Sequence, residues 1–381
     1  MQKKKIIRAT TVPQSLDHFC QGMLKELSEK YEVIALSSPG EHLDRVRERE
    51  NVRTIAIPME RHISLLKDLT SLIMMIKTLQ KERPYMIHSM TPKAGLLCMV
   101  AGKLVGVPVR IHTFTGLVWP TSTGLKRKIL MLTDKLTCFC ATNILPEGEG
   151  VKNDLIAGKI TKKPLKVLGF GNVMGVDMKH FSRRKEVLGK MEELGLRDDS
   201  KFTFLFVGRI VKDKGINELV CSFKKLKSEY PDIRLLLVGP YEDNLDPISP
   251  ESRETINAYD DIVAVGKKMG DELLAYYTAA DCFVMPSYRE GFPNTVLEAG
   301  AMDLPCIVTD INGSREIIRD GYNGLVIPSK DPRALYEAMK RIIDDDDERE
   351  KMASFARDYI ATHYEQGFVR KCLYDYYKEI I

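Results

Sequence analysis

No stretch of this 381-residue sequence reaches the roughly eighteen consecutive apolar residues that a membrane-spanning helix needs. The start, "MQKKKIIRATTVPQS", is basic but has too short an apolar core for a signal peptide, so the expectation is a soluble chain in the cytoplasm. The eight cysteines (Cys20, Cys98, Cys138, Cys140, Cys221, Cys282, Cys306, Cys372) form no C-x-x-C pair, and several lie inside apolar runs. That pattern excludes a disulfide framework and a zinc site and suggests reduced, buried thiols. Residues 83–133 contain no acid at all, but hold Arg83, Lys93, Lys103, Arg110, Lys126, Arg127 and Lys128. Net charge is only +4, yet residues 1–180 carry 28 basic against 16 acidic side chains, and the remainder 29 against 37. A face this one-sided attracts phosphates or the anionic inner surface of a membrane, unless it is merely a solvated face. Neither an aromatic-rich binding strand nor a nucleic-acid motif accompanies the charge, so nucleic acid is not an expected partner.

A single core stops growing near 250–300 residues, so two domains are expected. Apolar residues make up 44% and charged residues 29%, enough for real cores in a globular chain. Short apolar runs alternate with helical patterns. In the first half they are "KIIRAT", "YEVIALS", "VRTIAIP", "YMIHS", "VRIHTF", "TNILPE" and "LKVLGF"; in the second, "FTFLFVG", "IRLLLVG", "DIVAVG", "DCFVMP", "PCIVTD" and "NGLVIP". Segment 63–79 between two such runs is amphipathic, with Leu65, Leu66, Leu69, Leu72, Ile73, Ile76 and Leu79 on one side. Helices of the second half are predicted to begin near Asp213, Pro250, Asp271, Pro293 and Pro332. Strands alternating with helices argue for parallel sheets wrapped on both faces. The glycine-rich, charged stretch "GFGNVMGVDMKHFSRRK" (169–185) breaks the pattern and marks the join. Its glycines are not a dinucleotide fingerprint, because no helical pattern follows to present a pyrophosphate site. "DDDDE" (344–348) reads as a solvated helix end.

Chemistry concentrates in "PSYREGFPNTVLEAGAMDLPCIVTD" (286–310), which reads strand end, loop, helix, strand. Glu290 falls in the loop and Glu298 on the early helix, at the carboxyl end of a strand where open α/β sheets bind ligands. Two carboxylates beside free helix N–H groups suit a polyhydroxyl ligand carrying a phosphate; the plainer alternative is a helix cap and a surface acid. "VGRIVKDKG" (207–215) puts Arg209 and Lys214 at another strand's carboxyl end. It is not a P-loop, but two cations there suit a diphosphate leaving group. His88 and His112 each read either as cleft ligands or bases, or as core histidines. Tyr288 and Phe292 either wall a sugar or pack.

Together these residues resemble the GT4 family of retaining glycosyltransferases, of the GT-B fold. "GR…KG" at 208–215, E-x7-E at Glu290 and Glu298, "GNVMGVDMKHF" and "NGSREIIRDGYNGLVIP" carry the likeness, which is strong over 200–330 and weaker over 1–170. The resemblance implies two doubly wound Rossmann-like α/β domains whose parallel sheets face a central cleft. Residues 1–175 would bind the acceptor and 176–365 the nucleotide sugar, with a C-terminal helix (366–381) packing back toward the N-terminal domain. It implies a nucleotide-sugar donor, with UDP the expected nucleotide, and a glycan or polyprenyl-diphosphate-linked acceptor in cell-surface polysaccharide synthesis. A hexosyl or N-acetylhexosaminyl group would move with retention, without a metal or other cofactor.

By the same resemblance Glu298 would bond ribose, Arg209 and Lys214 would neutralise the diphosphate, and Glu290 would act on the sugar. Gly208, Gly266, Gly291, Phe292, Asn294 and Thr295 would complete the donor site. Two departures stand out. The loop after the first strand, "TTVPQSLDHF", lacks the glycines many relatives have. Thr115 stands before Gly116 where many have histidine, with His112 three residues earlier. Thr115, whose hydroxyl could stand in for that histidine, is a candidate for the acceptor or the cleft, as are His112, His88, Lys126, Arg127 and Lys128. The alternatives are a GT-B sugar-nucleotide epimerase and a non-catalytic nucleotide-sugar-binding protein.

Overall fold

The computed structural model describes residues 3–60, 64–244 and 246–381. The chain divides into two compact units, residues 1–174 with 369–381, and residues 175–368. In the first unit the strands are Lys5–Ala9 (β1), Glu32–Ser37 (β2), Arg53–Ala56 (β3), Met86–Met90 (β4), Val109–Phe114 (β5) and Asn143–Pro146 (β6). They form one parallel sheet in the order β3-β2-β1-β4-β5-β6. In the second they are Phe202–Val207 (β7), Ile233–Val238 (β8), Ile262–Gly266 (β9), Cys282–Met285 (β10), Cys306–Thr309 (β11) and Gly324–Ile327 (β12). Their order, β12-β11-β10-β7-β8-β9, repeats the first topology. The central strands are buried on both faces, which is why they appear in the sequence as unbroken apolar runs rather than alternating ones. In each sheet the order reverses once, between β1 and β4 and between β7 and β10, and each reversal opens a crevice at the strands' carboxyl ends.

Helices of the second unit start where the sequence suggests. Pro250–Ala258 is capped by Ser249, and Pro332–Asp344 by Asp331, whose carboxylate accepts the Arg333 and Ala334 N–H groups. The stretch 344–348 ends one helix and opens the next: Asp345 accepts the Glu348 N–H at the start of Asp346–Tyr364. The chain leaves the first unit after Met174 and re-enters it at Val369. Val176 and Glu365 run side by side there, with the Gln366 N–H donating to the Val176 carbonyl at 3.0 Å. From residue 369 on, the helix Gln366–Ile380 lies in the first unit, and its Leu373, Tyr376 and Tyr377 share a core with Ile6, Leu16 and Ile111.

Two expectations change. "LKVLGF" is not a strand: only Leu165 bridges to Ile144 on the outer edge of β6, and Pro164, Gly169 and Gly171 punctuate the segment. In segment 63–79, whose first residue lies outside those described, the helix Leu65–Glu82 does not bury its leucine side. Met75 and Leu79 are buried, whereas Leu65 and Leu66 are each 82% exposed and Leu69 and Ile73 are exposed too. The described cysteines are all free thiols, six of them buried.

Candidate active site

At the first reversal the chain fills its own crevice. Thr11, just after β1, donates its N–H to Thr91 Oγ1 at 2.9 Å, and the two hydroxyls lie 2.8 Å apart. Thr11 Oγ1 also accepts the Ala94 N–H, one of the unpaired donors opening the helix Pro92–Val105. The sequence has threonine here instead of glycine, and a side chain takes the place a phosphate oxygen would need.

At the second reversal charged side chains gather instead. After β7 the chain passes Gly208 and Arg209 into the 3₁₀ turn Lys212–Lys214, then Gly215 opens the helix Ile216–Lys227. Gly215 has φ +72°, and a Cβ on it would lie 2.0 Å from the Pro286 carbonyl oxygen. Only glycine lets this turn press against the end of β10. Tyr288 N–H donates to the Asp213 carbonyl at 2.8 Å, locking the two loops together. Lys214 is thereby paired with Glu290, both largely buried. Arg209 bonds Glu242 Oε2 at 2.6 Å through one Nη and stays partly exposed. Burial disfavours its charge, but Glu242, with Asp213 and Glu290 beyond it, more than offsets this and its pKa is raised. Gly291 and Gly313 close the loop: Gly313, φ +73°, leaves no room for a Cβ, which would meet Gly291 O at 2.4 Å.

The helix Asn294–Ala301 begins beside this loop, with Asn294 and Thr295 partly exposed in its first turn and no side-chain cap. Glu298 is partly buried. Its Oε2 accepts from Tyr277 Oη at 2.9 Å, and desolvation lifts its pKa to about 7. Six buried side-chain polar atoms lack a partner among the described residues. Four of them, Asp213 Oδ1, Glu218 Oε2, Ser287 Oγ and Ser314 Oγ, belong to the segments following β7, β10 and β11. Unpaired buried polar atoms are costly, and a cluster of them marks a place where ligand or water completes the bonding.

The structure thus brings Gly208, Arg209, Lys214, Glu290 and Gly291 to one crevice with the start of the Asn294 helix. Gly266 is not among them: it ends the edge strand β9, where its carbonyl holds the Gly239 N–H at 2.9 Å. Phe292 is a core residue, 6% exposed with its ring 5.5 Å from that of Tyr364, so it does not wall a sugar. Tyr288 buttresses the loop by donating to Glu218 at 2.6 Å. Sequence reasoning missed Tyr277, Glu242 and Asp213, since nothing in their spacing ties them to the residues they touch.

In the first unit the two histidines are interior groups. His112 is 1% exposed, 3.0 Å from Ser89 Oγ, and packs on Gly95, where a Cβ would lie 2.3 Å from its ring. Burial holds its pKa down to about 3. His88 lies on the opposite face of the sheet. Arg8, a donor only, is 2.6 Å from its Nδ1, so Nδ1 accepts and Nε2–H donates to Thr113 Oγ1 at 2.7 Å. Burial first, then the Arg8 charge, hold its pKa well below the usual value. With Arg8, Thr113 and others it lines a cavity of about 30 Å³. Thr115, after β5, is partly exposed, and Lys126, Arg127 and Lys128 stand exposed on the helix Gly124–Cys140.

Residues 190–359 match the family described as "Glycosyl transferases group 1", and residues 18–171 the "Glycosyl transferase 4-like domain". The chain is 33% identical to the capsular polysaccharide biosynthesis glycosyltransferase CapM of Staphylococcus aureus over 373 residues, 97% of this chain and 95% of that one. It belongs to the group 1 glycosyl transferases. This glycosyltransferase is also 30% identical, over 78% of its length and 76% of the relative's, to an Escherichia coli enzyme. That relative is named UDP-Gal:alpha-D-GlcNAc-diphosphoundecaprenol alpha-1,3-galactosyltransferase. Its fold matches that of Anabaena HepE, solved with UDP and glucose, with a TM-score of 0.82 at 14% identity, covering 99% of this chain and 100% of that one. A Rickettsia africae glycosyltransferase matches with a TM-score of 0.80 at 18% identity, over 100% and 99%. The fold is GT-B, two Rossmann-like units, and nothing in these likenesses favours an epimerase.

Proposed function

We propose that this glycosyltransferase moves a hexosyl or N-acetylhexosaminyl group from a UDP-sugar to a polyprenyl-diphosphate-linked acceptor during cell-surface polysaccharide synthesis. The observation that carries this reading is the pairing of Lys214 with Glu290, beside Arg209, at the reversal of the second sheet. The acceptor class is supported by the E. coli relative, whose name specifies a diphosphoundecaprenol-linked substrate, and the nucleotide by UDP in the Anabaena structure.

In this reading Arg209, Lys214 and the first N–H groups of the Asn294–Ala301 helix take the diphosphate. Glu290 then trades its bond to Lys214 for the sugar's hydroxyls and faces the positive charge growing at the anomeric carbon. The bond from that carbon to the diphosphate oxygen breaks, and the acceptor oxygen bonds the same face, so configuration is retained. The acceptor's proton leaves with the diphosphate. Gly208, Gly291, Asn294 and Thr295 line the donor's path, and Glu298 holds ribose. The two cations supply what a metal would supply elsewhere. Activity is therefore expected to persist in EDTA, while Lys214→Ala loses most turnover; an enzyme silenced by EDTA and restored by Mn²⁺ rules out the metal-free assignment.

The first unit supports acceptor binding at a membrane surface. Leu65, Leu66 and Leu69 on one helix and Leu125, Leu132 and Phe139 on another are exposed, and Lys126, Arg127 and Lys128 lie on the second of these. Apolar side chains set in a basic field suit insertion into an anionic lipid surface, and no described helix is long and apolar enough to cross one. Cosedimentation with anionic vesicles should fall when the three cations become Gln. Equal binding to neutral and anionic vesicles, unchanged in that variant, removes the contact.

A further inference from the structure

We infer that Tyr277 is a positioning residue for the donor: it holds the Glu298 carboxylate by one oxygen so that the other is presented to the ribose hydroxyls. The inference rests on the reading that Glu298 bonds ribose. Tyr277 sits on the helix Gly270–Ala279, 0% exposed, and its phenol reaches Glu298 Oε2 at 2.9 Å. Glu298 Oε1 accepts no hydrogen bond among the described residues, and the residue is only partly buried. One oxygen is thus fixed from behind while the other is left toward solvent. The phenol's other acceptor, the Thr295 carbonyl at 3.5 Å, is the more distant and weaker one.

A phenol is a donor here and cannot be a base. Burial, then the Glu298 charge, hold its pKa well above the ordinary value. Its hydrogen bond favours the carboxylate over the acid, against a desolvation that pulls the other way. The groups bearing on the pair are Tyr277 itself and the buried Cys306 thiol; neither carries charge near neutrality. Without the phenol the protonated form of Glu298 gains. An acid presents one fewer acceptor to two ribose hydroxyls, and donor binding should then demand a higher pH.

The test is UDP affinity by calorimetry from pH 5.5 to 9 for the wild type, Tyr277→Phe, Glu298→Gln and the double variant. In the wild type, affinity should rise through about pH 7, beyond the step near pH 6 belonging to the nucleotide's own phosphate. Glu298→Gln should keep only that phosphate step. Tyr277→Phe should bind about tenfold more weakly at pH 7, recover toward wild type by pH 9, and keep its kcat at saturating donor. The double variant should match Glu298→Gln alone. If Glu298→Gln leaves UDP affinity intact, the ribose reading itself fails. If Glu298→Gln weakens binding but Tyr277→Phe is wild type, or equally weak at every pH, the positioning role is overturned. Should Tyr277→Phe not fold, the wild-type profile still decides: no step beyond that of Glu298→Gln overturns the role.

Discussion

The two units share one strand order and one reversal point, yet they finish it in opposite ways. In the first, Thr11 and Thr91 bond each other and the Ala94 N–H, so the crevice is satisfied from within. In the second, glycines at 215 and 313 let the loops press together, and cations, carboxylates and unpaired polar atoms gather at the crevice. Topology supplies the crevice in both. A few side chains decide whether it holds a ligand or holds itself, which is why fold alone does not carry function.

The largest effect expected from this contrast is catalytic. Lys214→Ala or Arg209→Ala should cost roughly 2.7–4 kcal/mol of barrier, a hundred- to thousandfold in kcat, with little change in melting temperature for the exposed Arg209 and some loss for Lys214, whose partner Glu290 is left largely buried. Steady-state kinetics with and without EDTA check it. A variant that melts early but turns over normally would make the pair structural. Within the same crevice, Glu290→Gln should lower kcat, whereas Glu298→Gln should mainly raise the donor KM.

The mirror experiment belongs to the first unit. Thr11→Val strands the Ala94 N–H and should destabilise by about 1–3 kcal/mol, several degrees in melting, while leaving UDP affinity unchanged. Weaker UDP binding in that variant would break the comparison, because the first crevice would then bear on the donor.

Acid separates the units more gently. His88 and His112 have folded pKa values below their unfolded ones, so the stability they represent is present above about pH 6.5 and is lost as pH falls below it. Asp134, raised to about 7 by burial, works the other way and offsets one proton. The depressed histidines outnumber that one carboxyl, so the slope of the first unit keeps their sign. Glu298, raised to about 7, represents stability present below about pH 4.5 and lost as pH rises toward 7. Hydrogen exchange followed from pH 6.5 to 5 should therefore show the first unit loosening and the second holding. Equal loosening of both would remove the distinction.

Much of this was legible because it is local. Twelve of the thirteen apolar runs became strands, and the central ones, buried on both faces, need an unbroken apolar stretch. Glu290 and Glu298 declared themselves by flanking a helix start, and Arg209 and Lys214 by ending a strand. The run at 165–170 misled because the proline before it and the glycines at its end limit its pairing with β6 to a single bridge. The helix Leu65–Glu82 misled because its spacing says which residues share a side, not whether that side meets the core or the solvent.

The chain's own order of residues determined the alternation of strands and helices, the glycines that let the loops after β7 and β10 meet, and the family. These depend on backbone geometry and on periods of two to four residues. The tertiary structure alone decided that His88 and His112 are spent in the interior and that Phe292 packs rather than lines. It also decided that Tyr277, twenty-one positions from Glu298, stands behind its carboxylate. Burial and contact between distant positions depend on how the sheets assemble the chain, and no short spacing in a sequence encodes them.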